Sequence, residues 1–298
     1  MQKADLDNYL KAGQIAKELL DYASKNLKVG SNLFEFAEKA EAEIVKKGGK
    51  PAFPINLSRN SEAAHYTPAF ESSDVVQEND VIKVDVGVSV NGFIADTAKT
   101  IDFSDEFGEM IKANEEALER AVSIIKEGTK ISSIGETIEL TIKSKGFNPV
   151  VNLTGHGLAK NDAHTQPTIP NVKTRDEKVI SGNMAFAVEP FVTNGKGHVS
   201  ESARVEIFQV LEVKGVRDNN ARKILSYANE NYGKLPFAER WIARDLGISE
   251  FARRIALREL LQRQCIMSYP VLKEQEGCIV TQAETTLVVF ESKVFRLV

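Results

Sequence analysis

Residues 81–101 read VIKVDVGVSVNGFIADTAKTI. Asn91-Gly92 separates two runs rich in β-branched residues. Asn-Gly is the favoured pair for a two-residue hairpin turn, because both positions accept a positive φ. A regular turn pairs residues whose numbers sum to 183, so Val90 faces Phe93, Gly87 faces Asp96 and Asp85 faces Ala98. Pairs two positions apart share a face of the ribbon, which makes Asp85 and Asp96 diagonal neighbours with Cβ atoms about 7–8 Å apart or somewhat less. Aspartates in hairpins are ordinarily solvated, and that reading suits Asp102 and Asp105. It suits Asp85 badly. Val84, Val86 and Val88 mark its strand as core, where like charges repel unless a cation lies between them.

On either side of the hairpin the chain reads as helix pairs. Apolar residues recur at helical spacing over 5–26 and 32–47, with Leu33, Phe36, Ala37 and Ala40 on one face. That pair ends at Gly48-Gly49, as helices often do, and an apolar stretch PAFPINLS follows. The plan returns over 106–126 and 131–145, then Gly146 and NPVVNLT. Gly30-Ser31 aligns with Gly128-Thr129 and Lys47-Gly48 with Lys145-Gly146, at an offset of 98. Ile55-Asn56-Leu57-Ser58 aligns with Val151-Asn152-Leu153-Thr154 at an offset of 96. The common order points to an internal duplication. Two helices and a few strands cannot bury their apolar faces alone, whereas two copies can join their strands into one sheet under a layer of helices. The class is therefore α+β, with a site expected at the junction of the halves.

Further chemistry-bearing residues sit in short, distinctive stretches. His156 lies in NLTGHGLA between two glycines that let its backbone approach another element, and His164 follows in NDAHTQPTIP. Glu189 lies in MAFAVEPF and Glu284 in CIVTQAETTLVVF, both in apolar strand-like runs where a carboxylate is costly unless paired or metal-bound. Each alone is equally readable as an ordinary buried polar residue. With the hairpin they make two aspartates, one histidine and two glutamates, a hard donor set suited to two divalent first-row ions.

Composition sets the bounds. The chain has 298 residues, 42% hydrophobic and 27% charged, with a net charge of −4, so no general affinity for nucleic acid or anionic membrane is expected. No apolar run approaches the roughly 18 residues of a membrane span, and the amphipathic N-terminus lacks a secretory pattern. Two cysteines, Cys265 and Cys278, form neither a disulfide framework nor a CxxC site, so a reducing cytoplasm is the simplest reading.

The stretches HYTP, DVG…NGFIAD, TGHGL, AVEP and QAETT resemble, in the same order, the signatures of the methionine aminopeptidases, here of type II. The resemblance covers essentially the whole chain. It implies the pita-bread fold shared with prolidase, aminopeptidase P and creatinase, and removal of the initiator methionine from nascent proteins whose second residue is small and uncharged. It implies Asp85, Asp96, His156, Glu189 and Glu284 as ligands of two divalent ions (Co, Mn, Fe or Zn). Asp96 and Glu284 would bridge both ions, Asp85 would bind one, and His156 and Glu189 the other. Glu189 would also move protons, and His65 and His164 would line the active site and bind substrate. Nothing carries over to His198, read as a surface residue near Gly195–Gly197. No long charged N-terminal extension is present, as in the short archaeal forms. A monomer is expected, with a peptide N-terminus as substrate and a transient ribosome contact left open.

About ninety residues separate AVEP from QAETT, far beyond an ordinary connection. Residues 217–265 read as helices and CIMSYPVL as a strand, which resembles the helical, winged-helix-like insertion of type II enzymes. The expected division is a catalytic domain of 1–211 and 271–298 with an inserted subdomain of 212–270. A winged helix raises nucleic-acid binding as a rival. Twelve Lys and Arg against nine Asp and Glu over 212–276 support it weakly, and Arg253, Arg254 and Arg258 read as a solvated face. The family's insertion walls the substrate pocket, which implicates Tyr269, and Phe53 on the other wall. Both could equally be core aromatics. The remaining alternatives are a prolidase- or aminopeptidase P-like peptidase, and a non-catalytic binding relative. The first usually carries an extra N-terminal domain, and the second loses metal ligands that are all present here.

Overall fold

A computed structural model describes residues 1–298. The first half runs α1 (Lys3–Asn26), α2 (Leu33–Lys46), β1 (Lys50–Pro51), β2 (Asn56–Arg59), β3 (Glu62–Ala64), β4 (Val81–Val90) and β5 (Phe93–Asp102). The second runs α3 (Gly108–Ile124), α4 (Ile131–Ser144), β6 (Asn148–Pro149), β7 (Thr154–Ala159), β8 (Asp162–Pro170), β9 (Met184–Val188) and β10 (Phe191–Thr193). β11 (Ser200–Val210) leads into an insertion of α5 (Asn219–Asn231), β12 (Phe237–Ala238), α6 (Glu239–Leu246) and α7 (Glu250–Gln262). The chain returns through β13 (Ile266–Lys273) and closes with β14 (Val280–Gln282), β15 (Thr285–Phe290) and β16 (Lys293–Arg296).

The hairpin has the register its turn dictates. Asn91 and Gly92 take φ of 52° and 89°, and Gly87 faces Asp96 while Asp85 faces Ala98. β4 is paired on its other edge by β1 and β2, so Asp85 stands in the middle of a sheet. Apolar faces of α1 and α2 pack on β4 and β5 in one core, and those of α3 and α4 pack on β9 and β15 in another.

The duplication is written in hydrogen bonds. Gly30 N–H donates to Val76 O and Gly128 N–H to Ile180 O, both at 2.8 Å. Leu33 N–H reaches Asp74 O and Ile131 N–H reaches Lys178 O, both at 2.9 Å. Ala52 N–H bonds Gly87 O and Val150 N–H bonds Phe191 O, again both at 2.9 Å. Stepping back two residues from Gly87 and from Phe191 gives Asp85 and Glu189, which therefore occupy equivalent places in the two halves.

The insertion has its own core, built on Phe208, Ile224, Phe237, Trp241, Leu257 and Ile266. It is no loose appendage, because β11 and β13 pair over their length and β13 also pairs with β3 of the first half. α6 is locked to α2: the buried Arg240 bonds Glu38, Glu41 and Thr67, and the Trp241 indole donates to Glu41 Oε2 at 2.7 Å. Of the three arginines read as solvated, Arg254 and Arg258 are exposed. Arg253 is not. It is buried, and its guanidinium bonds Glu239 and the Ile248 carbonyl, because one residue of α-helix turns it about 100° away from Arg254 toward the packed face. His198 is exposed, as expected. Both cysteines are free thiols, and no helix is long and apolar enough to cross a membrane.

Candidate metal centre

Four elements deliver the acidic side chains to one place. Asp85 comes from the centre of β4 and Asp96 from β5, on one face of the hairpin. Glu189 directly follows β9, held by Asn171, whose amide donates to Glu189 O at 3.1 Å and Leu153 O at 2.9 Å. Glu284 sits between β14 and β15 and forms a bridge with Ala98 of the hairpin. His156 arrives on β7, which packs close to its neighbours. A Cβ on Gly155 would lie 2.2 Å from Ala187 O, and one on Gly157 2.1 Å from Gln166 O. The bare backbone is what admits the imidazole.

The side chains converge on a cavity of about 240 Å³ lined by Asp85, Asp96, His156, Glu189 and Glu284, and also by His65, His164, Phe53 and Tyr269. All nine residues singled out in the sequence meet there. Ligating atoms of Asp96, His156 and Glu284 lie within 4.8 Å of one another. His156 Nε2 is 3.7 Å from Asp96 Oδ2 and 3.4 Å from Glu189 Oε1. Asp85 joins through Gln282, whose amide nitrogen donates to Asp85 Oδ2 at 3.4 Å and to Glu284 Oε2 at 3.2 Å.

The electrostatics of this cluster favour a bound cation. Asp96 and Glu284 are buried, Asp85 and Glu189 are half-buried beside them, and no Lys or Arg lines the cavity. Burial pushes the Asp85 carboxyl up to about 7. Asp96, Glu189 and Glu284 are raised too, first by burial and then by one another's charge. Asp85 Oδ1 and Asp96 Oδ1 are buried with no hydrogen-bond partner. A buried carboxylate oxygen without a donor is costly. Divalent ions would supply the missing partners and charge, so this donor set fits them.

The histidines differ in their surroundings. Burial lowers His65 and His156 to about 4, so both are neutral near pH 7. His65 Nδ1 lies 3.2 Å from Pro270 O, a pure acceptor, so Nδ1 carries the proton and Nε2 keeps a lone pair. His65 also has φ of 66°, in the left-handed region that non-glycine residues enter only when their surroundings hold them there. Its ring stands edge-on to Tyr269 with centroids 5.3 Å apart. His164, at the rim, is 4.4 Å from the His156 ring and 5.9 Å from Tyr269, which anchors its own hydroxyl on Gln209 Oε1 at 2.6 Å. Apolar walls come from Phe53, Leu153, Phe191, Ile207, Pro236 and Tyr269.

Some residues that line the cavity or bond its carboxylates went unread in the sequence. Gln282 is two positions before Glu284, so strand alternation placed both on one face, and that signal was available. Asn56 and Asn152 both line the cavity, as their places in the duplicated segments allow. Ile207 lies on β11, whose sequence SESARVEI carries little apolar alternation.

Comparison with known proteins places the chain in a family. Residues 7–217 match the model of metallopeptidase family M24. A methionine aminopeptidase of Pyrococcus horikoshii is 41% identical over 291 residues, covering 97% of this chain and 98% of its own. Among solved structures, a thermophilic Arx1 superposes with a TM-score of 0.87 at 17% identity, covering 100% of this chain and 91% of that one. Methionine aminopeptidase from Rickettsia prowazekii gives 0.71 at 17% identity, with 100% and 98% covered.

Proposed function

The chain belongs to metallopeptidase family M24 and has the family's pita-bread fold, and from that premise we infer that it acts as a methionine aminopeptidase. The observation that carries the reading is the convergence of Asp85, Asp96, His156, Glu189 and Glu284 on one cavity that no Lys or Arg lines. We propose that these five would hold two divalent ions (Co, Mn, Fe or Zn), with Asp96 and Glu284 the carboxylates that would serve both. Bound there, the ions supply Lewis acidity, polarising the scissile carbonyl and making water nucleophilic near neutral pH.

The chain's own residues do the rest. Glu189 takes the proton of the attacking water and passes it to the leaving amine. His164, at the cavity rim, donates to the carbonyl oxygen as negative charge develops on it. His65 has the complementary role. Its Nδ1–H is spent on Pro270 O, so the neutral ring offers Nε2 as an acceptor for an N–H of the substrate peptide. Phe53 and Tyr269 form part of the apolar slot for the methionine side chain, and residues 212–270 act as a subdomain that walls it. Such a slot discriminates by about 1–3 kcal/mol per methylene. Nascent proteins with a small, uncharged second residue are the proposed substrates, met by a monomer in the cytoplasm. A passing ribosome contact would bring the two together.

Hydrolysis of Met-Ala-Ser set beside Ala-Pro-Ala, with and without chelator, tests the reading. Cleavage of the first alone, abolished by chelation and restored by Mn, Co or Fe, is expected. Preferential cleavage of Ala-Pro-Ala would transfer the chain to the aminopeptidase P type.

A further inference from the structure

The two half-sheets meet along a seam between β5 and the β14–β15 segment. Ala98 and Glu284 form an isolated bridge there, with Glu284 N–H donating to Ala98 O at 3.1 Å. On either side of it, hydroxyls join the backbones. Thr286 Oγ1 accepts the Asp96 N–H and donates to Asp96 O, both at 2.8 Å. Thr100 Oγ1 does the same for the N–H and carbonyl of Gln282, both at 2.8 Å. Thr97 Oγ1 donates to Glu284 O at 2.7 Å. All three threonines are buried.

Direct pairing would draw two strands to about 4.7–4.9 Å. A hydroxyl interposed between backbones holds them further apart and fixes that distance, because a buried N–H and C=O both depend on it. At this seam the spacing has chemical consequences. Asp96 comes from one half and Glu284 from the other, and they are the two carboxylates assigned to both ions. We propose that Thr286 is a positioning residue for the metal pair. Through the Asp96 backbone it sets the separation of the Asp96 and Glu284 carboxylates, and with it the ability of the site to hold two ions together. Thr97 steadies the Glu284 side of the same gap. The proposal rests on the two-ion reading above.

Valine has threonine's shape without the hydroxyl, while serine keeps the hydroxyl and loses a methyl, so the pair separates hydrogen bonding from packing. Mn(II) would be titrated calorimetrically into chelator-stripped wild type, Thr286→Val and Thr286→Ser, with circular dichroism on each. The wild type should take up two ions. Thr286→Val should bind the second about 10- to 100-fold more weakly, the usual loss when a group supporting a ligand is removed, with Thr286→Ser close to wild type. Wild-type binding of both ions by Thr286→Val, or an equal loss in Thr286→Ser, would overturn the proposal. A wild type that takes up fewer than two ions would instead remove the two-ion reading. Should Thr286→Val not fold, Thr97→Val decides: a weakened second ion in a folded protein supports the seam, and unchanged binding rejects it.

Discussion

In the first half of the molecule, the strand carrying Asp85 returns through a two-residue turn and delivers Asp96 eleven positions later. In the second half, the strand leading to Glu189 is followed by an entire insertion before the chain comes back with Glu284, ninety-five positions on. Both halves nevertheless place their carboxylates in one cavity, from equivalent hydrogen-bond registers. The ligand geometry is thus a property of sheet register and is indifferent to how the strands are connected. That is why an insertion could be accommodated in one half without displacing the centre.

The sharpest way to break this equivalence is to remove from each half the carboxylate proposed to serve both ions. Asp96→Ala and Glu284→Ala should both lose bound metal and at least about a thousandfold in kcat/KM, or ~4 kcal/mol of transition-state stabilisation. Metal analysis and kinetics on the same samples would show it. If Glu284→Ala kept its metal while Asp96→Ala did not, the two halves would not be equivalent.

A smaller effect is expected at the rim. His164→Ala removes the donor proposed for the reacting carbonyl, a loss that typically costs about 2.7–4 kcal/mol, or a hundred- to a thousandfold in rate. The metal should stay bound. Loss of an ion as readily as in Glu284→Ala would make His164 a ligand.

The halves also differ at Gly87 and its counterpart Phe191. A Cβ on Gly87 would lie 2.3–2.8 Å from the Phe53 ring, which must then shift within the wall of the proposed methionine slot. Overpacking of this kind costs about 1–3 kcal/mol, so Gly87→Ala should raise KM for methionyl peptides about tenfold and move kcat less. A change in kcat alone would place Gly87 with the metal centre rather than the slot.

The mildest test concerns pH. Asp85 is pushed up to about 7 in the absence of metal, and its neighbouring carboxyls are raised as well, so protons compete with ions for the same oxygens. Metal binding must release those protons, and its stabilisation of the fold shrinks as pH falls through about 7. His156, lowered to about 4, adds no competition in that range. Thermal melts with and without Mn at pH 7.5 and 5.5 should show a larger difference at the higher pH; an equal difference would contradict the burial argument.

The hairpin, the four flanking helices and the helical insertion were legible because each obeys a local rule: Asn-Gly turn chemistry, helical periodicity, glycine at helix ends. The five proposed ligands were legible because carboxylates stood in apolar strands, where their cost announces a purpose. What escaped reading depends on contacts made across the chain. The seam hydroxyls look in sequence like ordinary strand threonines. The left-handed backbone of His65 is imposed by surroundings that include β13, some two hundred residues away. Gln282 belongs to neither group, and alternation would have found it.

Because the Asp96 backbone is completed by Thr286, 190 positions downstream, the centre has no partial form during synthesis. A growing chain that has emerged only as far as the insertion carries Asp85, Asp96, His156 and Glu189 but lacks Glu284 and the far side of the seam. Peptide-cleaving capacity should therefore arise only once Glu284 and Thr286 have been made, and a product truncated before them should be inert toward peptide N-termini.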